Sequence, residues 1–199
     1  MINQKVRRLW DQMMRPVGRL VASSHIDPNL ITVLGVAIQT YGALEILGGH
    51  LMVAALATLL SGVADVLDGA VAKARGMTTK LGALLDSTTD RLSDALFFIP
   101  IAWLYAVSPD KAGREQHWVA ALALVGLVAA FLVSYIKARA EALGYECNVG
   151  LAERAERWIL MVLGLFFDIL PLATAILAVV SITTVFQRLL HVRKQMNVV

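Results

Sequence analysis

Long apolar stretches alternate with short polar breaks along nearly the whole chain. A bilayer-crossing helix needs roughly 20 mostly apolar residues, and the pattern predicts six of them, at about 30–47, 51–75, 81–107, 118–142, 153–170 and 171–193. The breaks carry turn and helix-start chemistry. Asp27-Pro28-Asn29 opens the first stretch, Gly48-Gly49-His50 separates it from the second, and residues 76–80 form a short loop before the third. Residues 108–117 and 143–152 are polar connections, and Pro171 opens the last stretch. Upstream, residues 4–22 read as an amphipathic helix. Val6, Leu9, Trp10, Met13, Met14 and Val17 share one face, while Lys5, Arg7, Arg8, Asp11, Gln12 and Arg15 fill the other. A basic, Trp-bearing helix of this kind suits the membrane interface, with a kink at Pro16; a partner-binding helix is the competing reading. The expected architecture is an all-α integral membrane protein, six transmembrane helices preceded by an N-terminal interfacial helix. It forms a single domain over 1–199, with 4–22 as the interfacial helix and 30–193 as the six-helix bundle.

Composition agrees. Of 199 residues 58% are hydrophobic and 17% charged, with mean hydropathy +0.67; soluble domains carry about a quarter charged residues. The lone Cys147 excludes an internal disulfide. The charges in the first 20 residues leave no apolar core for a cleaved signal peptide. With the N-terminus on the cytoplasmic side, 15 of the 18 Lys and Arg residues fall on that side and only Lys111 and Arg114 on the other. The positive-inside rule therefore predicts a multi-pass cell-membrane protein with both termini cytoplasmic.

Charges inside spans are costly and point to function. The second and third stretches hold Asp65, Asp68, Asp86, Asp90, Arg91 and Asp94. Arg91 and Lys73 neutralise two carboxylates at most; Arg91 is a candidate partner of Asp94 or of another aspartate. The remaining charge asks for a cation. Asp65 and Asp68 are spaced i, i+3 and Asp86 and Asp90 i, i+4, so each pair shares a helix face. In an antiparallel hairpin Asp65 lies level with Asp90 and Asp68 level with Asp86. At 1.5 Å per residue the site sits about 12–15 Å from the short loop. Four carboxylates suit hard cations, Mg²⁺ or Mn²⁺, and two such ions can clamp a pyrophosphate. Gly69 and small Ala72 leave a gap for a ligand against the helix.

The run Asp65-Val-Leu-Asp68-Gly69-Ala-Val-Ala72-Lys73, followed by Gly82, Asp86 and Asp90, resembles the CDP-alcohol phosphotransferase signature D-x2-D-G-x2-A-R-x8-G-x3-D-x3-D. One position departs: Lys73 stands where the signature has arginine, which keeps the charge but loses the bidentate fork; Arg75 is a candidate for that contact. The resemblance implies that Asp65, Asp68 and Asp86 hold metal and the CDP moiety of CDP-diacylglycerol. It also implies that Asp90, a metal ligand too, is the general base that deprotonates an acceptor hydroxyl. Gly69, Ala72, Lys73, Arg75 and Gly82 belong to the implied donor site. Asn29 and Thr32 are candidates for it, with helix capping as their competing role.

A second group, Ser134, Lys137, Arg139, Arg154, Arg157, Arg188 and Arg193, converges on the same level. Arginines there suit phosphate, so the acceptor is expected to be a phosphorylated alcohol; flanking positive charge is the competing reading. The runs Ser134-Tyr-Ile-Lys137-Ala-Arg139-Ala-Glu141 and Glu153-Arg154-Ala-Glu156-Arg157 resemble the actinobacterial phosphatidylinositol phosphate synthases, as does Asp90-Arg91-Leu-Ser-Asp94. Ala155 replaces an expected proline. That likeness implies inositol 1-phosphate as acceptor and a homodimer, with no nucleic-acid partner. The alternatives are a phosphatidylglycerophosphate synthase using glycerol 3-phosphate and, from another class, a divalent-cation transporter.

Overall fold

A computed structural model describes residues 27–76, 79–108, 116–151 and 153–197. The expected interfacial helix at 4–22 lies outside the described residues. Among these residues the chain is all-helical. Its six helices are α1 (Pro28–Leu47), α2 (Leu51–Ala74), α3 (Lys80–Val107), α4 (His117–Ala142), α5 (Arg154–Phe166) and α6 (Leu170–Met196).

Local chemistry sets the ends. The Asp27 side chain accepts from Asn29 N at 2.9 Å, and Pro28 occupies the first turn of α1, where a missing N–H costs nothing. Thr79 caps α3, its hydroxyl accepting from Gly82 N at 2.9 Å. A Cβ on Gly82 would lie 3.2 Å from that hydroxyl, so glycine leaves the cap room. Glu153 and Glu156 form a reciprocal capping box at the start of α5.

Four helices, α1, α2, α4 and α6, are each long and apolar enough to cross a bilayer. The other two expected spans differ, for two reasons. α3 has the length, but Asp86, Asp90, Arg91 and Asp94 fall within it. α5 has only 13 residues, about 20 Å at 1.5 Å per residue, against a hydrocarbon core of about 30 Å. It stops at Phe166, earlier than expected, and the chain turns through Asp168 with φ 51°.

The shortness of α5 has a structural cause. The chain leaves α4 and runs without regular structure through residues 145–151 before α5 begins. Arg188 Nε donates to the Val149 carbonyl at 2.9 Å, and its NH1 donates to the Val133 carbonyl at 2.6 Å. Val133 and Arg188 stand nine and eight residues from the nearby ends of their helices. The connection thus dips about 13 Å below those ends, and α5 starts from that depth. Gln195 and Glu146 clasp its rim with two hydrogen bonds, 2.6 and 3.2 Å.

α1 packs on α2 and α3, α3 on α4, α4 on α6, and α5 on α2 and α6. Small residues make the approaches close: a Cβ on Gly35 would sit 3.2 Å from Ala64, and one on Gly42 3.1 Å from Ala57. One end of the bundle is dry. There Ile46, Leu51, Phe97, Phe98, Ile101, Tyr105, Val119, Leu165 and Leu170 form one buried cluster, with Phe97 and Phe98 edge to face at 5.4 Å. The outward faces stay apolar: Val33, Leu44, Val128, Val179 and Phe186 are among many exposed large hydrophobic residues, as lipid-facing surfaces require. The other end of the bundle carries Asp65, Asp68, Asp86, Asp90 and Asp94.

Candidate active site

The site forms between α2 and α3, where the two helices pack only loosely. Although consecutive, these helices are not among the packed pairs. α1 braces both of them, and α5 covers α2. Across the resulting gap Asp65, from α2, and Asp86 and Asp90, from α3, bring one carboxylate oxygen each to within 4.8 Å of one another. The hairpin arithmetic pairs Asp65 with Asp90 and Asp68 with Asp86; oxygens of Asp65 and Asp90 do come together, but Asp86 joins them and Asp68 does not. Asp68 stands apart from the triad: it is buried, and Thr32 of α1 donates a hydrogen bond to its Oδ2. A Cβ on Gly69 would meet nothing within 4 Å, so open space flanks Asp68.

Arg154 bridges the gap. From the first turn of α5 its NH1 donates to Asp65 Oδ2 at 2.6 Å, and its NH2 lies 2.8 Å from Asp90 Oδ1. The second contact is out of line for a hydrogen bond; the buried Asp90 Oδ1 has a charge neighbour but no donor. The other oxygen of Asp90 accepts from Arg91 at 3.1 Å. Arg91 therefore serves Asp90, and Asp94 is paired instead with Arg157, NH2 to Oδ2 at 3.4 Å, with both groups buried.

One contact sets the position of Arg154. Trp158, one turn further along α5, lies flat over Gly62 and donates from Nε1 to the Thr58 carbonyl at 3.3 Å. A Cβ on Gly62 would come within 2.3 Å of the indole. Behind Arg154, residues Gln39, Thr58, Ser93, Asp94, Trp158 and Met161 enclose a cavity of about 20 Å³, room for one water. The Thr58 hydroxyl is buried without a protein partner.

The remaining expected residues divide. Ala72 and Arg75 are half-buried, and Lys73 is exposed in the last turn of α2. Asn29 is exposed at the start of α1, and its backbone N–H donates to the Asp27 cap. Ser134 is half-buried, Lys137 lies 3.9 Å from Glu141, and Arg139 and Arg193 are exposed in the last turns of α4 and α6. Arg154 alone of the basic group touches the triad; Arg157 and Arg188 are spent on buried internal contacts. Spacing reveals neither pairing, because the Arg157–Asp94 and Arg188–Val133 contacts join residues 63 and 55 positions apart.

The triad fits a small hard cation. Mg²⁺ holds oxygens at about 2.0–2.1 Å, so oxygens on opposite sides of one ion are about 4 Å apart. One oxygen from each of the three carboxylates already lies within 4.8 Å of the others, close to that size.

The profile of the family described as CDP-alcohol phosphatidyltransferase matches residues 25–187. A phosphatidylinositol phosphate synthase of Corynebacterium glutamicum is 39% identical over 189 residues, covering 92% of this chain and 84% of its own length. The crystal structure of the Mycobacterium tuberculosis phosphatidylinositol phosphate synthase with CDP-DAG bound superposes with a TM-score of 0.80 at 33% identity, covering 91% of this chain and 94% of that one. The same enzyme in complex with manganese and citrate gives 0.79 at 34% identity, covering 90% and 88%. Motif, carboxylate geometry and likeness over nearly the full length agree: the chain belongs to the CDP-alcohol phosphatidyltransferase family.

Proposed function

We propose that this protein transfers the phosphatidyl group of CDP-diacylglycerol to inositol 1-phosphate, releasing CMP and forming phosphatidylinositol phosphate. The observation that carries the reading is the convergence of Asp65, Asp86 and Asp90 across the α2–α3 gap, on the motif spacing of the family. A relative solved with CDP-DAG and with manganese supports the donor and the metal.

In this reading Asp65, Asp86 and Asp90 hold Mg²⁺ or Mn²⁺, and Asp68 completes a second position. The metal supplies charge neutralisation at the pyrophosphate and a better leaving group. The open space at Gly69 receives the cytidine end of the donor, next to Thr32, Asn29, Ala72, Lys73, Arg75 and Gly82. Asp90 Oδ1, buried without a donor, takes the proton of the acceptor hydroxyl. The alkoxide oxygen bonds to the lipid-side phosphorus, the pyrophosphate P–O bond breaks, and CMP departs with the electron pair. Ser134, Lys137, Arg139, Arg154 and Arg193 are the residues this reading assigns to the acceptor phosphate. Arg157 and Arg188, first grouped with them, hold Asp94 and the 145–151 segment in place. The full reading includes six membrane crossings, with the polar half of α3 lining the recess and α5 completed by the dipping segment. It also includes cytoplasmic termini and recess, a single domain and a homodimer.

The test is CMP release from the full-length protein in vesicles containing CDP-diacylglycerol, with inositol 1-phosphate or glycerol 3-phosphate added. Release with the first acceptor is the expected result. Release with glycerol 3-phosphate alone would reassign the acceptor, and metal uptake without CMP release would reassign the class.

A further inference from the structure

Resting on the reading above, we infer that Arg154 competes with the divalent cation for Asp65 and Asp90, and that metal and donor loading frees its guanidinium to capture the acceptor phosphate. Donor binding then precedes acceptor binding because one arginine serves both sites in turn.

Three observations carry this. First, Arg154 grips one oxygen from each helix, Asp65 Oδ2 at 2.6 Å and Asp90 Oδ1 at 2.8 Å. Those carboxylates belong to the triad that fits a cation. A cation bonded to their lone pairs and a guanidinium at that distance repel each other strongly inside a half-buried site. Second, once displaced the guanidinium has no carboxylate of the site left to it among the described residues, since Asp86 goes to the cation with Asp65 and Asp90 in this reading. Asp94 is already paired with Arg157 at 3.4 Å, and Asp68 is bonded to Thr32. An external anion is therefore the partner left to it, and the planar fork of arginine fits a phosphate. Third, the side chain has freedom to move while its base stays fixed. It is 38% exposed, whereas Trp158, one turn on, is locked over Gly62. Lysine at this position would keep a charge but lose the planar fork that suits both the carboxylate pair and a phosphate.

The coupling is measurable in both directions. In nanodiscs, Mn²⁺ binding to the full-length protein is followed by the electron paramagnetic resonance of free Mn²⁺. Arg154→Gln is expected to tighten Mn²⁺ roughly tenfold, since a competing charge is gone, and Arg154→Lys to tighten it less. Binding of inorganic phosphate, an unreactive stand-in for the acceptor, is then measured with and without Mg²⁺ and CDP-diacylglycerol. The wild type is expected to bind phosphate at least about fivefold tighter when both are present, and Arg154→Gln to show no such gain. Equal or weaker Mn²⁺ binding in Arg154→Gln overturns the inference, as does phosphate binding in the wild type that ignores metal and donor. If Arg154→Gln does not give a melting transition, Arg154→Lys decides by the same sign. A wild type that binds no Mn²⁺ at all removes the functional reading itself; one that binds Mn²⁺ with an affinity Arg154 does not affect removes only the competition.

Discussion

The two ends of the bundle solve opposite problems. At the apolar end, Phe97, Phe98, Tyr105 and Leu165 fill the space between helices and are fully buried. At the acidic end, α2 and α3 pack only loosely, and the space between them holds three carboxylates that repel one another. Each end makes the other possible. Like charges this close tend to open the structure, and close packing at the far end of the same helices holds them in register. A filled acidic end would have no room for a ligand; an open apolar end would let the carboxylates drift apart. The lesson is a division of labour along each helix, with rigidity at one end and charge at the other.

The strongest challenge to this division is Asp90→Asn. It is expected to lower turnover about 10²–10⁴-fold while the melting temperature in nanodiscs holds or rises, because a repelling charge is removed. CMP release and thermal unfolding on the same preparation check it; turnover above a tenth of wild type would take the proton-acceptor role from Asp90. Next is Phe98→Ala, at the opposite end. The ring is fully buried and lies 2.9 Å from where a Cβ on Gly126 would be. Its loss is expected to cost about 3–5 kcal/mol of stability with the KM for acceptor unchanged. A shift in KM without a change in melting would show that the two ends are not separable. The smallest effect is expected for Gly62→Ala, which sits between the two regimes. Its Cβ would meet the Trp158 indole at 2.3 Å, costing about 1–3 kcal/mol. Because Arg154 precedes Trp158 by one turn, the KM for acceptor should rise as well. Steady-state kinetics with melting curves sharpen the boundary between the ends.

Much of this was readable from the residues in order. The helices begin and end within about three residues of the expected positions, apart from the end of α5, because Pro, Gly and capping residues act locally. The aspartates could be paired by depth because helical rise is uniform. What escaped was whatever depends on distant segments. Arg157 and Arg188 look like phosphate ligands beside Arg154 and Arg193, and nothing local says that Asp94 and the carbonyls of Val133 and Val149 claim them. The end of α5 escaped for a similar reason. Residues 153–170 are apolar enough to continue, but the dipping connection had already used part of the bilayer depth.

That dipping connection also decides how wet the protein is. Backbone without regular structure survives at membrane depth only beside protein or water, and between residues 145 and 151 only part of the main chain is claimed by Arg188 and Gln195. Glu146, Asn148 and Leu151 are exposed, and exposed backbone at that depth faces water rather than lipid, which opens the foot of α5 to the aqueous side. A highly polar sugar phosphate can then arrive by ordinary diffusion in water, while the greasy tails of its reaction partner stay in the surrounding lipid throughout.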